Sequence, residues 1–291
     1  RLKEVVARSG SFVLPGFYGA TVDGAIKLFQ RGGGDITGAI VARCLDADLY
    51  ENWTDVSGFL SADPRIVQNP RAIGRITFDE MRELSYMGAS VLQEEAIFPV
   101  REANIPIQIK NTNRPEDAGT VIRETADGDT NEHLITGIAG KKDFLAIHVK
   151  KAHMSNEVGV ISRALNIVER YGVSVEHIPT GVDSFGIVVN ASDVKDTVYS
   201  IISDIRREIE PDDITMVDRL ALVSVVGRNM SRRSGTSGKI FGALGNAGVN
   251  IRMITQSSEE ISIIVGVDNA DFDRTIGVIY NGFVRDEMVS R

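Results

Sequence analysis

The sequence has a single cysteine, Cys44, in 291 residues, which excludes a disulfide framework and a thiolate zinc site. Cys44 falls within a helical pattern among apolar residues, where a small buried hydrophobe is expected rather than a nucleophile. The four histidines, His133, His148, His153 and His177, show no metal-ligand spacing. No basic run occurs, and a formal net charge of −8 leaves no positive stripe for a nucleic acid. No apolar run is long enough to cross a bilayer and no signal peptide precedes the first helix, so a cytoplasmic protein is expected. An initiating methionine is also missing. Arg1-Leu2-Lys3-Glu4-Val5-Val6 reads as the middle of an amphipathic helix, and the chain is expected to be the carboxyl-terminal part of a longer protein.

What is present is ordinary in bulk: 25% charged and 43% apolar residues, with length for two or three domains. The densest stretch is Trp53-Thr54-Asp55-Val56-Ser57-Gly58-Phe59-Leu60-Ser61-Ala62-Asp63-Pro64-Arg65. It mixes carboxylates, hydroxyls, Gly, Pro and Arg in one connection. Hydroxyls and backbone N–H groups satisfy phosphate oxygens while an arginine fork adds charge, so the stretch suits a polyanion. A capped turn opened by Asp63-Pro64 is the plainer reading. Of the two roles open to Asp63, a partner for Arg65 or a turn cap, the cap is expected.

Residues 1–125 alternate strand and helix. A strand is expected over Ser11–Phe17 and a hairpin over Thr21–Phe29, turning at Asp23-Gly24. A helix over Ile36–Leu45 follows the glycine-rich Gly32–Gly34, and a strand runs from Asp48 to Trp53. Thr77 and Glu80 have capping-box spacing. A long helical region is interrupted at Gly88, and a second helix, Val91–Ala103, is expected to kink or break near Phe98 because of Pro99. Ile105–Lys110 and Gly119–Arg123 read as strands. The alternation predicts an α/β domain with a largely parallel sheet. Residues 126–133, polar around Asp127-Gly128-Asp129, read as a linker.

The remainder repeats itself. A shift of 76 positions (248 − 172) places Gly159 on Gly235, Leu165 on Phe241 and Gly172 on Gly248. The alternating Phe185, Ile187 and Val189 fall on Ile261, Ile263 and Val265, and the register needs no gap. Each copy reads strand, helix, strand, strand, helix. The first can complete itself with Ile214–Val217. The second runs out of chain after Asp271–Tyr280, and Leu134–Ala139 can supply the strand it lacks.

Six blocks, in order, are similar to the aspartate kinases of the amino-acid kinase superfamily: Pro15–Ala20, Arg31–Asp35, Trp53–Gly58, Ala62–Val67, Met87–Leu92 and Lys110–Asn113. The repeated unit resembles the ACT module, which binds amino acids and pairs with its like. The resemblance implies a fold class: the carboxyl-terminal portion of a three-layer α/β amino-acid kinase domain (1–125) with a mostly parallel sheet. Two α+β ferredoxin-like ACT domains follow, the first over 143–218 and the second split between 134–142 and 219–291.

The resemblance also implies a reaction: ATP and Mg²⁺ phosphorylate the side-chain carboxylate of L-aspartate to 4-phospho-L-aspartate. Arg31, Gly34 and Asp35 would hold aspartate, since an arginine fork suits its carboxylate and Asp35 its ammonium group. The plainer reading of that loop is a glycine turn. The family usually has Ser at Gly34. Thr54, Asp55, Leu60, Arg65, Ser90, Val91 and Lys110 would hold ATP. Relatives often carry an aromatic at Leu60, and many have Lys at Ser90 and His at Gln93. Lys110-Asn111-Thr112 is equally an ordinary Asn-rich turn. No catalytic residue is assigned within the chain, because the family's phosphoryl-stabilising Lys belongs to an amino-terminal loop not found here. The 291 residues alone are therefore expected to be inactive.

In the first repeat, Met154, Glu157, Gly159, Val160 and Ile161, with Glu176 and Asp183, would embrace a feedback amino acid. The alternative is a helix start flanked by solvated acids. Ser231–Gly235 in the second repeat reads as a degenerate site or a surface loop, and Gln256–Glu259 as a contact between modules. No homoserine dehydrogenase domain follows in this sequence, which favours lysine over threonine as effector. Pairing of ACT modules implies a homodimer, possibly a tetramer, with neither a nucleic-acid nor a membrane partner. Two other functions fit part of the sequence: a different amino-acid kinase, against which the repeat argues, and a non-catalytic amino-acid sensor, for which Arg31–Asp35 and Trp53–Arg65 have no use.

Overall fold

The computed structural model describes residues 2–89, 91–92, 97–125, 133–257 and 259–285. Helix α1 (Leu2–Ser9) precedes the hairpin of β1 (Tyr18–Ala20) and β2 (Ile26–Leu28), which turns at Asp23-Gly24, with Gly24 at φ 85°. Ser11–Phe17 does not form the expected strand. Val13 is 96% exposed, Pro15 lacks a donor, and no neighbouring strand among the described residues satisfies the segment's backbone.

Helix α2 (Gly33–Leu45) starts three residues earlier than expected, because Gly32 takes the left-handed cap conformation at φ 88°. Its buried residues are Gly33, Ala39 and Ala42. Cys44, two positions beyond Ala42, therefore turns outward and is exposed, contrary to expectation.

Strands β3 (Tyr50–Thr54), β4 (Arg75–Thr77), β5 (Ile107–Asn111) and β6 (Thr120–Arg123) form a sheet of order β3-β5-β6-β4. Two of its three pairings are parallel. Helix α3 (Phe78–Tyr86) opens with the full capping box of Thr77 and Glu80. Of the expected helix Val91–Ala103, Val91 and Leu92 are not helical, and α4 covers Ile97–Glu102. Pro99 is third in that span, a first-turn position whose N–H would have no intrahelical partner.

A five-stranded antiparallel sheet of order β10-β11-β9-β7-β8 makes up the second half. Its two longest strands, β7 (Gly137–Lys150) and β9 (Asp213–Val226), are 14 residues each. Where their register shifts, near Asp143 (φ 68°) and Arg219 (φ 52°), each divides into two functional halves. The distal halves, with β8 (Ser184–Asn190), pack under α5 (Val160–Arg170) and α6 (Val198–Ile209). The proximal halves, with β11 (Ser262–Asp268), pack under α7 (Thr236–Asn246) and α8 (Phe272–Ile279), and β10 (Met253–Gln256) pairs along β11. Gly137–Lys141 pairs with Val226–Leu222, so the strand before the first unit lies in the sheet of the second.

The two units match at a shift of 76 through their first helices, since α5 and α7 begin at 160 and 236. His177 bridges Val188 where Met253 pairs with Gly266, so 76 (253 − 177) becomes 78 (266 − 188). The gap-free register is thus wrong by two residues, inserted in the hairpin before β11. Strand side chains repeat every two residues, so an even slip leaves the inward and outward sets unchanged.

Residues on the other face of this sheet, Ala139, Phe144, Leu220, Leu222 and Val226, share one hydrophobic core with Met81 and Leu84 of α3. A Cβ on Gly137 would come within 2.9 Å of Leu84 Cδ1. The second half therefore packs directly on the first.

Candidate functional site

The parallel strands β3 and β5 end side by side, with Trp53 opposite Lys110 and Thr54 opposite Asn111. The carboxyl ends of parallel strands are where α/β sheets leave a crevice for ligands. Lys110 Nζ lies 5.6 Å from the Trp53 ring centroid and donates to the carbonyls of Pro115 and Asp117 at 3.0 and 2.6 Å. Thr112 N–H donates to the Thr54 carbonyl at 2.8 Å. The Thr54 hydroxyl donates to Asp55 Oδ1 at 3.3 Å, and Asp55 is exposed.

Beyond Thr54 the chain is pinned from beneath. Asn111 Nδ2 donates to the Ser57 hydroxyl at 2.9 Å, which donates to Asp117 Oδ2 at 2.5 Å. Gly58, at φ 96°, lies against Thr120, whose Oγ1 would be 2.3 Å from a Cβ there. That hydroxyl accepts from Phe59 N–H and donates to the Ile73 carbonyl. The loop is therefore preshaped. Asp63 both caps the turn, accepting from Arg65 N–H at 2.8 Å, and pairs with the Arg65 guanidinium at 2.6 Å. The expectation of a cap alone was half of the answer. The Arg65 hydrogen bonds hold the Asp63 carboxyl below its ordinary range.

A cavity of about 570 Å³ opens beside this loop, within the range of small-molecule sites. Of the residues expected at ATP, Leu60, Arg65 and Val91 line it. Thr54, Asp55 and Lys110 lie at the neighbouring strand ends and are not among its lining residues. Ser90 and Gln93 fall outside the described residues, as do residues 126–132 of the expected linker. Arg114, Phe272 and Ile276 also line the cavity. Phe272 and Ile276 escape sequence reasoning, because apolar residues at helical spacing read as core.

At the start of α2, Gly33 is packed against Phe29 and Phe17, and a Cβ there would come within 2.5 Å of Phe29 Cβ. At Gly34 a Cβ would meet nothing within 4 Å, so crowding does not exclude a side chain there. Asp35 Oδ1 accepts from Asn52 Nδ2 at 2.9 Å, and its carbonyl accepts from the Tyr50 hydroxyl at 3.1 Å. This ties the α2 start to β3. Burial pushes the Tyr50 pKa up. Arg31 is exposed at the head of the same loop.

In the first repeat, Met154 and Val160 are buried and Gly159 caps α5 at φ 83°. Ile161 packs partly against the core of that unit. Glu157 is held by Lys151 at 3.2 Å and by Arg163, and these two cations depress its pKa. Glu176 accepts from the Tyr86 hydroxyl of α3. Asp183 accepts from Lys151 N–H through its carbonyl, and the residue is exposed. A cavity of about 680 Å³ is lined by Glu176 with Leu165, Asn166 and Gly172–Ile178, but not by Met154–Ile161 or Asp183. Of the seven residues expected around an effector, Glu176 alone lines this cavity. The second repeat has its own cavity, of about 460 Å³, lined by Ser231, Arg233, the α7 start and Gln256.

No helix among the described residues is long and apolar enough to cross a membrane, and none of them form a cluster of three or more His, Cys, Asp or Glu residues suited to a metal ion.

The amino acid kinase family matches residues 1–111 and the ACT domain matches residues 223–283. Aspartokinase 3 of Bacillus subtilis is 40% identical over all 291 residues, which cover 63% of that protein. The crystal structure of Clostridium acetobutylicum aspartate kinase superposes with a TM-score of 0.93 at 51% identity, over 97% of this chain and 65% of that one. E. coli aspartokinase III has been solved with aspartate and ADP (R-state) and with lysine and aspartate (T-state). These match at TM-scores of 0.73 and 0.74 and 25% and 26% identity, over 92% of this chain and 60% and 59% of theirs. The chain spans less than two thirds of the length of each of these relatives.

Proposed function

Residues 1–111 belong to the amino-acid kinase family and residues 223–283 to the ACT domains, in a chain related throughout to aspartate kinases, and from that premise we propose that the protein transfers the γ-phosphoryl group of ATP to the side-chain carboxylate of L-aspartate. The observation that carries this reading is the convergence of Leu60, Arg65 and Val91 on one cavity beside the ends of β3 and β5. Arg31, Gly34 and Asp35 hold aspartate at the α2 start. Thr54, Asp55 and Lys110, with Ser90, hold the nucleotide.

The acceptor needs no general base, since a free aspartate side chain titrates near about 3.9 and is already ionised. The protein's task is to align the two substrates and to offset charge on the phosphates. Magnesium is an ion that the nucleotide's own phosphates largely carry, with few protein ligands.

The domain plan we propose is a kinase portion at 1–125, an ACT domain at 143–218, and a second, split ACT domain at 134–142 and 219–291. Feedback by an amino acid acts through the first of these modules, at Met154–Ile161 with Glu176 and Asp183. Lysine is the favoured effector, supported by the E. coli protein's structure with lysine in its T-state. The protein works in the cytoplasm as a homodimer joined through its ACT domains.

ADP release that depends on both ATP and L-aspartate, measured on the intact protein, tests the reaction. No aspartate-dependent release would refute it. Turnover by the 291 residues alone would mean that every group the reaction needs lies within them. Calorimetric titration with lysine, threonine and methionine identifies the effector, and heat from threonine alone would refute lysine.

A further inference from the structure

The cavity beside Leu60 and Arg65 has walls from two halves of the chain. One is the loop after β3 with Met87–Ala89 and Val91. The other is Ile138–Gly140 of β7 and Phe272 and Ile276 of α8, which belong to the second repeat. This second wall is tightly built. A Cβ on Gly140 would come within 2.7 Å of Phe272 Cε2, so the ring lies directly on the β7 backbone. Lys142 Nζ stands 4.8 Å from the ring centroid and pairs with Asp273 at 3.1 Å, holding the start of α8 in place.

The two walls are also joined by hydrogen bonds. Ile138 N–H donates to the Ser61 carbonyl at 2.8 Å. Ser61 N–H donates to the Arg71 carbonyl at 2.9 Å, and Arg71 N–H donates to the Tyr280 hydroxyl, just past α8, at 3.0 Å. The loop and α8 therefore move together or strain this chain of bonds.

The lining is apolar along Phe272 and Ile276, while Arg65 and Arg114 stand at the rim with side chains 88% and 65% exposed. A flat apolar group bearing an anionic tail suits such a surface. We propose that the second repeat completes the nucleotide site: Phe272 and Ile276, beside the Gly140 backbone, form the wall against which the base lies, and Arg65 and Arg114 face the phosphate end. This rests on the reading of the loop as a nucleotide site. It makes the regulatory half part of the substrate-binding surface, so a displacement of α8 alters nucleotide affinity without a relay.

The test is calorimetric titration of the intact protein with ADP, paired with steady-state kinetics. Phe272→Ala is expected to weaken ADP tenfold or more and to raise KM for ATP by a similar factor, with KM for aspartate within twofold of the unmodified protein. Phe272→Leu, which spares the core, is expected to give a threefold or larger change in the same direction. If the unmodified protein binds ADP and both variants bind it within twofold of that affinity, the nucleotide reading stands and this inference fails. If the unmodified protein binds no ADP, both fail.

Discussion

Arg228 sets its backbone N–H 2.9 Å from Oε1 of Glu80 and its guanidinium Nη1 2.9 Å from Oε2. Glu80 is completely buried and also accepts from the Thr136 hydroxyl at 2.6 Å and from Thr77 N–H at 3.0 Å. One carboxylate thereby starts α3, anchors the approach to β7 and fixes the residue two past the end of β9. Burial raises its pKa, but the donors from Thr136, Arg228 and Thr77 outweigh that and hold it below its ordinary value.

Removing Glu80 strands these donors. Glu80→Ala is expected to cost about 3–5 kcal/mol, as breaking a buried pair does, measured by urea unfolding of the intact protein. The pH dependence follows from the direction of the shift. A carboxyl depressed in the folded state contributes stability fully above its unfolded pKa, about 4.3, and loses it as pH falls through the folded value. The acid limb of stability should therefore be shallower in Glu80→Gln than in the unmodified protein. Equal slopes would show that Glu80 does not titrate as described.

Half of that cluster can be read along the chain. Thr77 and Glu80 are three apart and announce a capping box, whereas Arg228 is 148 residues away and nothing local points to it. The same division runs through the candidate site. Glycines and turn residues mark the α2 start and the loop through Arg65, because backbone chemistry there is local. Phe272 carries no such mark: its apolar spacing serves α8 whether or not a ligand lies beyond it. The repeat is visible because helices and strands keep their periods, and the two-residue slip before β11 is hidden for that same reason. Cys44 shows the weakness of composition alone, since an apolar neighbourhood in sequence does not fix which side of α2 faces the core.

Two glycines of similar backbone should differ sharply. Gly119 (φ 72°) would place a Cβ 1.8 Å from the Ile109 carbonyl oxygen, a backbone atom that cannot swing aside. Gly159 (φ 83°) would place one in open space. Gly159→Ala then costs only the left-handed penalty, about 1–2 kcal/mol. Gly119→Ala must also separate β5 from β6 and is expected to prevent stable folding. Thermal unfolding of the two variants decides this, and similar melting temperatures would contradict it.

Asn52 is buried beneath the α2 start and donates to Asp35 Oδ1 and to the Tyr50 hydroxyl. It touches no proposed substrate atom, so its role is to aim Asp35. A hydrogen bond to a charged group is worth about 1.5–3 kcal/mol, which corresponds to a tenfold or larger effect. Asn52→Ala is expected to raise KM for aspartate about tenfold, with KM for ATP changed less than threefold. A parallel rise in both constants would mean that the sheet, not the aspartate pocket, had been disturbed.

The Tyr86 hydroxyl at the end of α3 donates to Glu176 Oε2 in the first repeat. Glu176 is one of the acids proposed to take the effector's ammonium group, so the effector competes with Tyr86 for that carboxylate. Helix α3 carries Met81 and Leu84 into the core shared with the regulatory sheet. Loss of the Tyr86 bond on effector binding would thus free the end of a helix on which the regulatory sheet packs. Tyr86→Phe keeps the ring that lies 5.3 Å from Lys141 Nζ and removes only the donor. The bond is exposed, and a bond to a charged partner there is worth about 1 kcal/mol. The variant is expected to bind the effector severalfold more tightly, with unchanged kcat in its absence. Calorimetry with lysine on both proteins measures the difference, and unaltered or weaker binding in Tyr86→Phe would separate Glu176 from the effector site.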